Sequence, residues 1–243
     1  MIETIDLRKS FGRVSAVESV GFTAADAAIT TLLGGNGSGK TTTLRLICGL
    51  LQPDAGVARV DGIAVASDRV GALGRLGVLH DELGLYSRLT VREHLRFSAE
   101  MHGLRARARD LAVERTLELL ELGALAGRRT KGFSHGERIK VALGRALVHS
   151  PRNVLLDEPT RGLDVFAMRT LRRILMRLRA EGACVLMSSH ALAEVNELSD
   201  RVVVIDAGRV RASGSPAELI AETRSADLEG AFVALVEERR AAA

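Results

Sequence analysis

Gly34-Gly35-Asn36-Gly37-Ser38-Gly39-Lys40-Thr41 follows an apolar run, Ile29 to Leu33, and leads into a helix-compatible run, Thr41 to Leu50. The octapeptide fits G-x-x-x-x-G-K-[ST] in the strand–loop–helix setting this pattern requires. Its four glycines let the backbone curl with N–H groups pointing inward around an anion. The helix that starts there adds free N–H groups and the positive end of its dipole. Lys40 is expected to reach the outer phosphates of a bound nucleotide, and Thr41 to offer its hydroxyl to a Mg²⁺ ion. The alternative is a glycine-rich turn that binds nothing.

Working outward, strand and helix signals alternate. Strands are expected at 2–7, near 14–22, at 29–33, 57–60, 76–79, 153–156, 184–188 and 202–205. Between 79 and 153 the strand signal stops. Thr90–His102 and Ala106–Leu122 carry helical periodicity, which reads as an insertion over about 86–132, and Ser134–His149 is a further helix. Helices at 165–180 and 191–198 follow, then two more over 216–240, with the alanines at 241–243 expected to fray. The reading is one α/β domain over 1–243. Its core, 2–85 and 150–215, has a mostly parallel sheet and an antiparallel N-terminal part; helical parts lie at 86–149 and 216–243.

A second set of residues belongs with the loop. Val154-Leu155-Leu156-Asp157-Glu158 is an apolar strand ending in two carboxylates. Placed beside the loop strand, it would deliver Asp157 to the Mg²⁺ ion and leave Glu158 to polarise or deprotonate a water. Read alone, Asp157-Glu158-Pro159 is a polar turn. His190, after Ser188-Ser189, lies where strand ends gather in a doubly wound sheet; it could orient that water, or merely start a helix behind a serine cap. Ser134 and Glu137 form an S-x-x-E capping box, a sufficient structural explanation; the same helix start could instead cradle a phosphate of another copy.

Composition narrows the classes. The chain has 243 residues, a net charge of +4 and 47% hydrophobic residues, enough for a substantial core. No run of eighteen apolar residues suggests a membrane span, and the N-terminus does not resemble a signal peptide. Cys48 and Cys184 suggest neither a disulfide framework nor a metal site, in keeping with a reducing, cytoplasmic compartment. The basic residues are dispersed and aromatics are few, so nucleic acid is not an expected partner.

The order of these motifs resembles the nucleotide-binding subunit of ATP-binding cassette (ABC) transporters over about residues 2–220. The resemblance implies that Phe11 stacks on adenine and that residues 34–42, including Gly34, Asn36, Gly37, Ser38, Gly39, Lys40, Thr41 and Thr42, hold the phosphates of ATP. It implies that Ser134 and Gly136 contact ATP on an opposing subunit and that Asp164, in Gly162-Leu163-Asp164, crosses the dimer interface. Asp157 becomes the Mg²⁺ carboxylate, Glu158 the catalytic one and His190 the switch histidine. Two such subunits, expected as a homodimer, close over two ATP and pass work to an integral membrane permease. The location implied is peripheral, on the cytoplasmic face of the membrane. The chain looks most like the NatA-type subunits of sodium-export systems, which implies an exporter. A soluble ABC ATPase uncoupled from transport is the alternative, but one phosphate loop and a short insert speak against the two-cassette and coiled-coil members of that group.

Three departures from the family pattern stand out. Phe133-Ser134-His135-Gly136-Glu137 replaces Leu-Ser-Gly-Gly-Gln. If His135 must adopt positive φ, it costs about 1–2 kcal/mol; otherwise its ring is free to add a hydrogen bond. Asp81 stands where a Mg²⁺-contacting Gln is usual, with less reach. Gly35 stands where Pro is usual, which loosens the loop.

Overall fold

The computed structural model describes residues 1–242, with side chains through Glu237. The fraying expected of 241–243 falls where side chains are not described and, at Ala243, outside the described residues. Among the described residues ten strands make one sheet: β1 (Ile2–Phe11), β2 (Val14–Ala24), β3 (Ala28–Leu33), β4 (Ala55–Val60), β5 (Ile63–Ala64), β6 (Leu76–Leu79), β7 (Asn153–Leu156), β8 (Cys184–Ser189), β9 (Arg201–Asp206) and β10 (Arg209–Gly214). Their order is β5-β4-β1-β2-β10-β9-β3-β8-β7-β6. From β9 to β6 neighbouring strands are parallel, whereas β5, β4, β1 and β2 pair antiparallel. This is the α/β architecture with an antiparallel N-terminal part that the sequence implies.

The parallel strands are apolar on both faces because helices cover both. Along β8, Cys184 and Leu186 enter one core cluster while Val185 and Met187 enter the opposite one. Leu155 of β7 points to the first side, and Val154 and Leu156 to the second. A period of two thus sorts each strand between two interiors. The helices are α1 (Lys40–Ile47), α2 (Arg69–Leu73), α3 (Val91–Met101), α4 (Ala106–Leu119), α5 (His135–Leu147), α6 (Val165–Ala180), α7 (Leu192–Leu198), α8 (Pro216–Thr223) and α9 (Leu228–Ala242). Side chains of α7, α8 and α9 form a third cluster against Leu33, Val202 and Val204.

The inserted helices have no separate interior. Val91, Leu95, Val113 and Leu117 lie in the same cluster as Leu79, Val154 and Met187 of the strands. α5 is the bridge, packing on α3, on α4 and on β6. At Gly144 it comes so close to its neighbours that a Cβ would lie 2.7 Å from Leu95 Cδ2 and 3.0 Å from Leu120 Cδ1.

One expectation is corrected. β7 is not beside the loop strand β3, because β8 stands between them, in register with both. The acid that follows β7 still reaches the loop, past the end of β8, with Asp157 Oδ1 accepting from Thr41 Oγ1 at 3.3 Å.

Candidate functional site

Strand register brings the chemistry together. Leu33 pairs with Ser189, and Leu79, Leu156 and Met187 lie side by side. The residues just beyond, Gly34, His80, Asp157 and His190, therefore leave the same edge of the sheet. This is the edge where open parallel sheets bind ligand.

The loop after β3 is a nest closed by α1. Gly39 admits no side chain: φ is 106°, and a Cβ there would lie 2.6 Å from Ala16 O. Lys40 is 6% exposed, and its ammonium donates to Gly34 O at 2.8 Å and Gly35 O at 3.2 Å. Burial lowers the pKa of Lys40, opposed by the nearby carboxylates of Glu158 and Asp157. Its Nζ lies 3.7 Å from Glu158 Oε1.

Asp157 is 3% exposed. Its Oδ1 accepts from Thr41 Oγ1 at 3.3 Å and from Ser188 Oγ at 2.6 Å. Ser188 also accepts the Glu158 N–H at 2.9 Å. Ser188 is a site residue that motif reading missed; its signal was its place in the Ser188-Ser189-His190 run. Glu158 has a left-handed backbone, φ 48°, and its Oε2 accepts from His190 Nδ1 at 2.8 Å. A carboxylate cannot donate, so Nδ1 carries the proton, which fixes how the ring faces Glu158. Serine does not cap the helix after His190 by its first reading: Ser189 Oγ takes Ala191 N–H at 3.0 Å, and the N-cap itself is Ala191.

A cavity of about 610 Å³ is walled by Asn36 to Thr42, Asp81, Asp157, Glu158, Arg161 and His190, with Val14, Ser15 and Ala16 of the first hairpin. Phe11 is half exposed and pairs across that hairpin with Val14, at the cavity's edge. Asp81 is on the wall but exposed, 4.0 Å from the Arg45 guanidinium. Three residues expected to serve an opposing subunit have structural roles in their own chain. Ser134 caps α5 in the capping box with Glu137, Gly136 faces Ala167 with no room for a side chain, and Asp164 caps α6 by accepting Ala167 N–H at 2.8 Å. None of the three lines this cavity in its own chain. His135 is the first residue of α5, and its Nε2 donates to Arg161 O at 2.9 Å. Of the two outcomes open to that ring, the structure shows the hydrogen bond.

The donors fit a nucleotide with a hard cation. Ser38 Oγ is buried without a hydrogen-bond partner, beside a glycine cradle that side chains would fill. Among the described residues no three His, Cys, Asp or Glu side chains gather closely enough to hold a metal by themselves. An ion here would take Asp157 and the Thr41 hydroxyl together with phosphate oxygens, as Mg²⁺ commonly does. Both cysteines are buried free thiols, Cys184 with its pKa raised by burial to about 11.

A nest for phosphates, a buried acid, and a carboxylate–imidazole pair on one sheet edge define a nucleotide hydrolase of the P-loop class. Residues 17–161 match the family model described as ABC transporter. The chain is 38% identical over 221 residues to the ABC transporter ATP-binding protein NatA of Bacillus subtilis (strain 168), covering 90% of each. It is 34% identical to the probable multidrug ABC transporter ATP-binding protein YbhF of Escherichia coli (strain K12), over 97% of this chain but 42% of that longer one. A solved structure described as the ATP-binding subunit of an ABC transporter superposes with a TM-score of 0.88 at 29% identity, over 97% of this chain and 99% of that one. The chain belongs to the ABC transporter family, as an ATP-binding, ATP-hydrolysing subunit. Among the described residues no helix is long and apolar enough to cross a membrane.

Proposed function

We propose that this chain is the motor of an exporter: it binds Mg·ATP in the cavity at the ends of β3, β7 and β8, dimerises with a second copy, and drives a separate integral membrane permease. The observation that carries this reading is the contact set joining the loop to the carboxylates, Thr41 to Asp157, Lys40 to Glu158 and Glu158 to His190. Mg²⁺, when bound, neutralises phosphate charge. The remaining work falls to side chains. Phosphate entering the nest competes with Glu158 for Lys40, which frees the carboxylate to take a proton from water while His190 Nδ1 holds it in place. Ser134, Gly136 and Asp164, which do not line their own cavity, are then available to an opposing copy. The unit of function we assign is the whole of 1–243, with 86–149 as the part that meets the permease at the cytoplasmic face. Sodium export is the specific cargo reading; it rests on the likeness to NatA-type subunits.

The test uses Glu158→Gln, expected to retain ATP and to hydrolyse it at least about a hundredfold slower, as for loss of a catalytic base. The tagged variant, expressed in its native cell and recovered from detergent-solubilised membranes, is expected to bring down a polytopic membrane protein in near-equal amount. Near-normal turnover would remove Glu158 from its role. Recovery only in the soluble fraction would replace the transporter reading with an uncoupled ATPase.

A further inference from the structure

Arg161 has no place in the motifs above, yet it is a wall residue of the same cavity. The chain turns twice to put it there. Glu158 is left-handed, Arg161 N–H donates to Glu158 O at 3.1 Å, Gly162 has φ 73°, and Leu163 N–H donates to Thr160 O at 3.2 Å. Thr160 is buried inside this double turn while Arg161 is exposed on its outside. Arg161 also borders an adjoining cavity of about 380 Å³, shared with His80, Asp81, His135 and Glu158. The arginines of α6 at 172, 173, 177 and 179 are each paired with a carboxylate. Among the described residues the Arg161 guanidinium has neither an ion pair nor a hydrogen bond. Its carbonyl, in contrast, is fixed: His135 Nε2 donates to it at 2.9 Å, tying the turn to the start of α5.

Charge gives this arrangement a purpose. The cavity wall carries Lys40 and three carboxylates, Asp81, Asp157 and Glu158. A nucleoside triphosphate adds about four negative charges to these three carboxylates, and Lys40 with one Mg²⁺ ion leaves the sum negative. A guanidinium matches a phosphate with two parallel N–H donors. We propose that Arg161 binds the terminal phosphate of ATP, and that His135 is the positioning residue that holds its turn in place. The proposal rests on the assignment of ATP to the cavity floored by residues 34–42.

Nucleotide titrations of the purified full-length chain test it, with ATP measured in the Glu158→Gln background so that none is consumed. Arg161→Ala is expected to weaken ATP about tenfold, the usual scale for one lost charged hydrogen bond, and to leave ADP unchanged. Arg161→Lys recovers part of the loss. His135→Ala gives a smaller loss with the same preference for ATP over ADP. Unchanged ATP affinity in Arg161→Ala, or equal loss for ATP and ADP, overturns the proposal. Lys40→Ala separates it from the reading beneath: undiminished binding of both nucleotides there removes the site itself, whereas their loss there with an unaffected Arg161→Ala removes Arg161 alone.

Discussion

Ser188 carries no charge and has little reach, but two parts of the site depend on it. Its hydroxyl gives its proton to Asp157 and receives the N–H of Glu158, so it holds the acid of one role and the backbone of the next. Ser188 lies fully buried near the end of β8, the strand between β3 and β7, and there it bonds both carboxylate residues that follow β7. Ser188→Ala leaves a buried carboxylate oxygen and a buried N–H each short of one partner. We expect a loss of about 1–3 kcal/mol in stability, measured by urea denaturation. A loss within error of zero would show that other groups take over both bonds. The loop was legible as a motif of fixed spacing, and Asp157, Glu158 and His190 from their places just past apolar strands. Ser188 and Arg161 were not, since their roles come from which strands lie side by side and how a turn folds back.

Among elements, those read best are the ones whose pattern is local. β6, β7 and α6 have the bounds read from the sequence, because their apolar runs are flanked by clear turn or capping residues such as Asp164. β10 was missed: Arg209-Val210-Arg211-Ala212-Ser213-Gly214 is half exposed and charged, and becomes a strand by pairing with β9. The two-residue β5 and five-residue α2 are too short to show a period. β1 runs past the expected end to Phe11 because register shifts interrupt its alternation. α5 offers a test at this scale. At Gly144, an alanine overlaps the flexible ends of Leu95 and Leu120 but gains about 0.5–1 kcal/mol of helix preference, so Gly144→Ala is expected near neutral. Gly144→Val has no such compensation and is expected to cost about 1–3 kcal/mol by overpacking. Equal melting curves for the two variants would contradict the close helix approach.

For the whole molecule, acid is the expected weakness, through histidines whose rings are partly withdrawn from water. The His149 ring stacks on His102, with ring centroids 3.5 Å apart. Burial, and then the His102 charge, lower the pKa of His149 from 6.5 to about 4. Burial also lowers His80, His94 and His102. Between pH 6.5 and 4 the unfolded chain takes up a proton at His149 that the folded chain refuses, so stability falls as pH falls through that window and levels below it. Denaturation midpoints across this range are expected to show that slope, and His149→Leu to flatten it. An unchanged slope in the variant would assign the effect to the other histidines.

The shared interior of the inserted helices and the sheet bears on how such a motor can be re-engineered. A swap of residues 86–132 for the matching piece of a relative looks like an exchange of one module for another. Here that graft would cut through a single packed cluster, parting Leu95 and Leu120 from Gly144 and Leu79 from the helices above it. A donor segment must therefore bring α5 with it, or be recut to the recipient's side-chain sizes; otherwise the hybrid gains a foreign helical surface and loses the packing that joins it to the sheet.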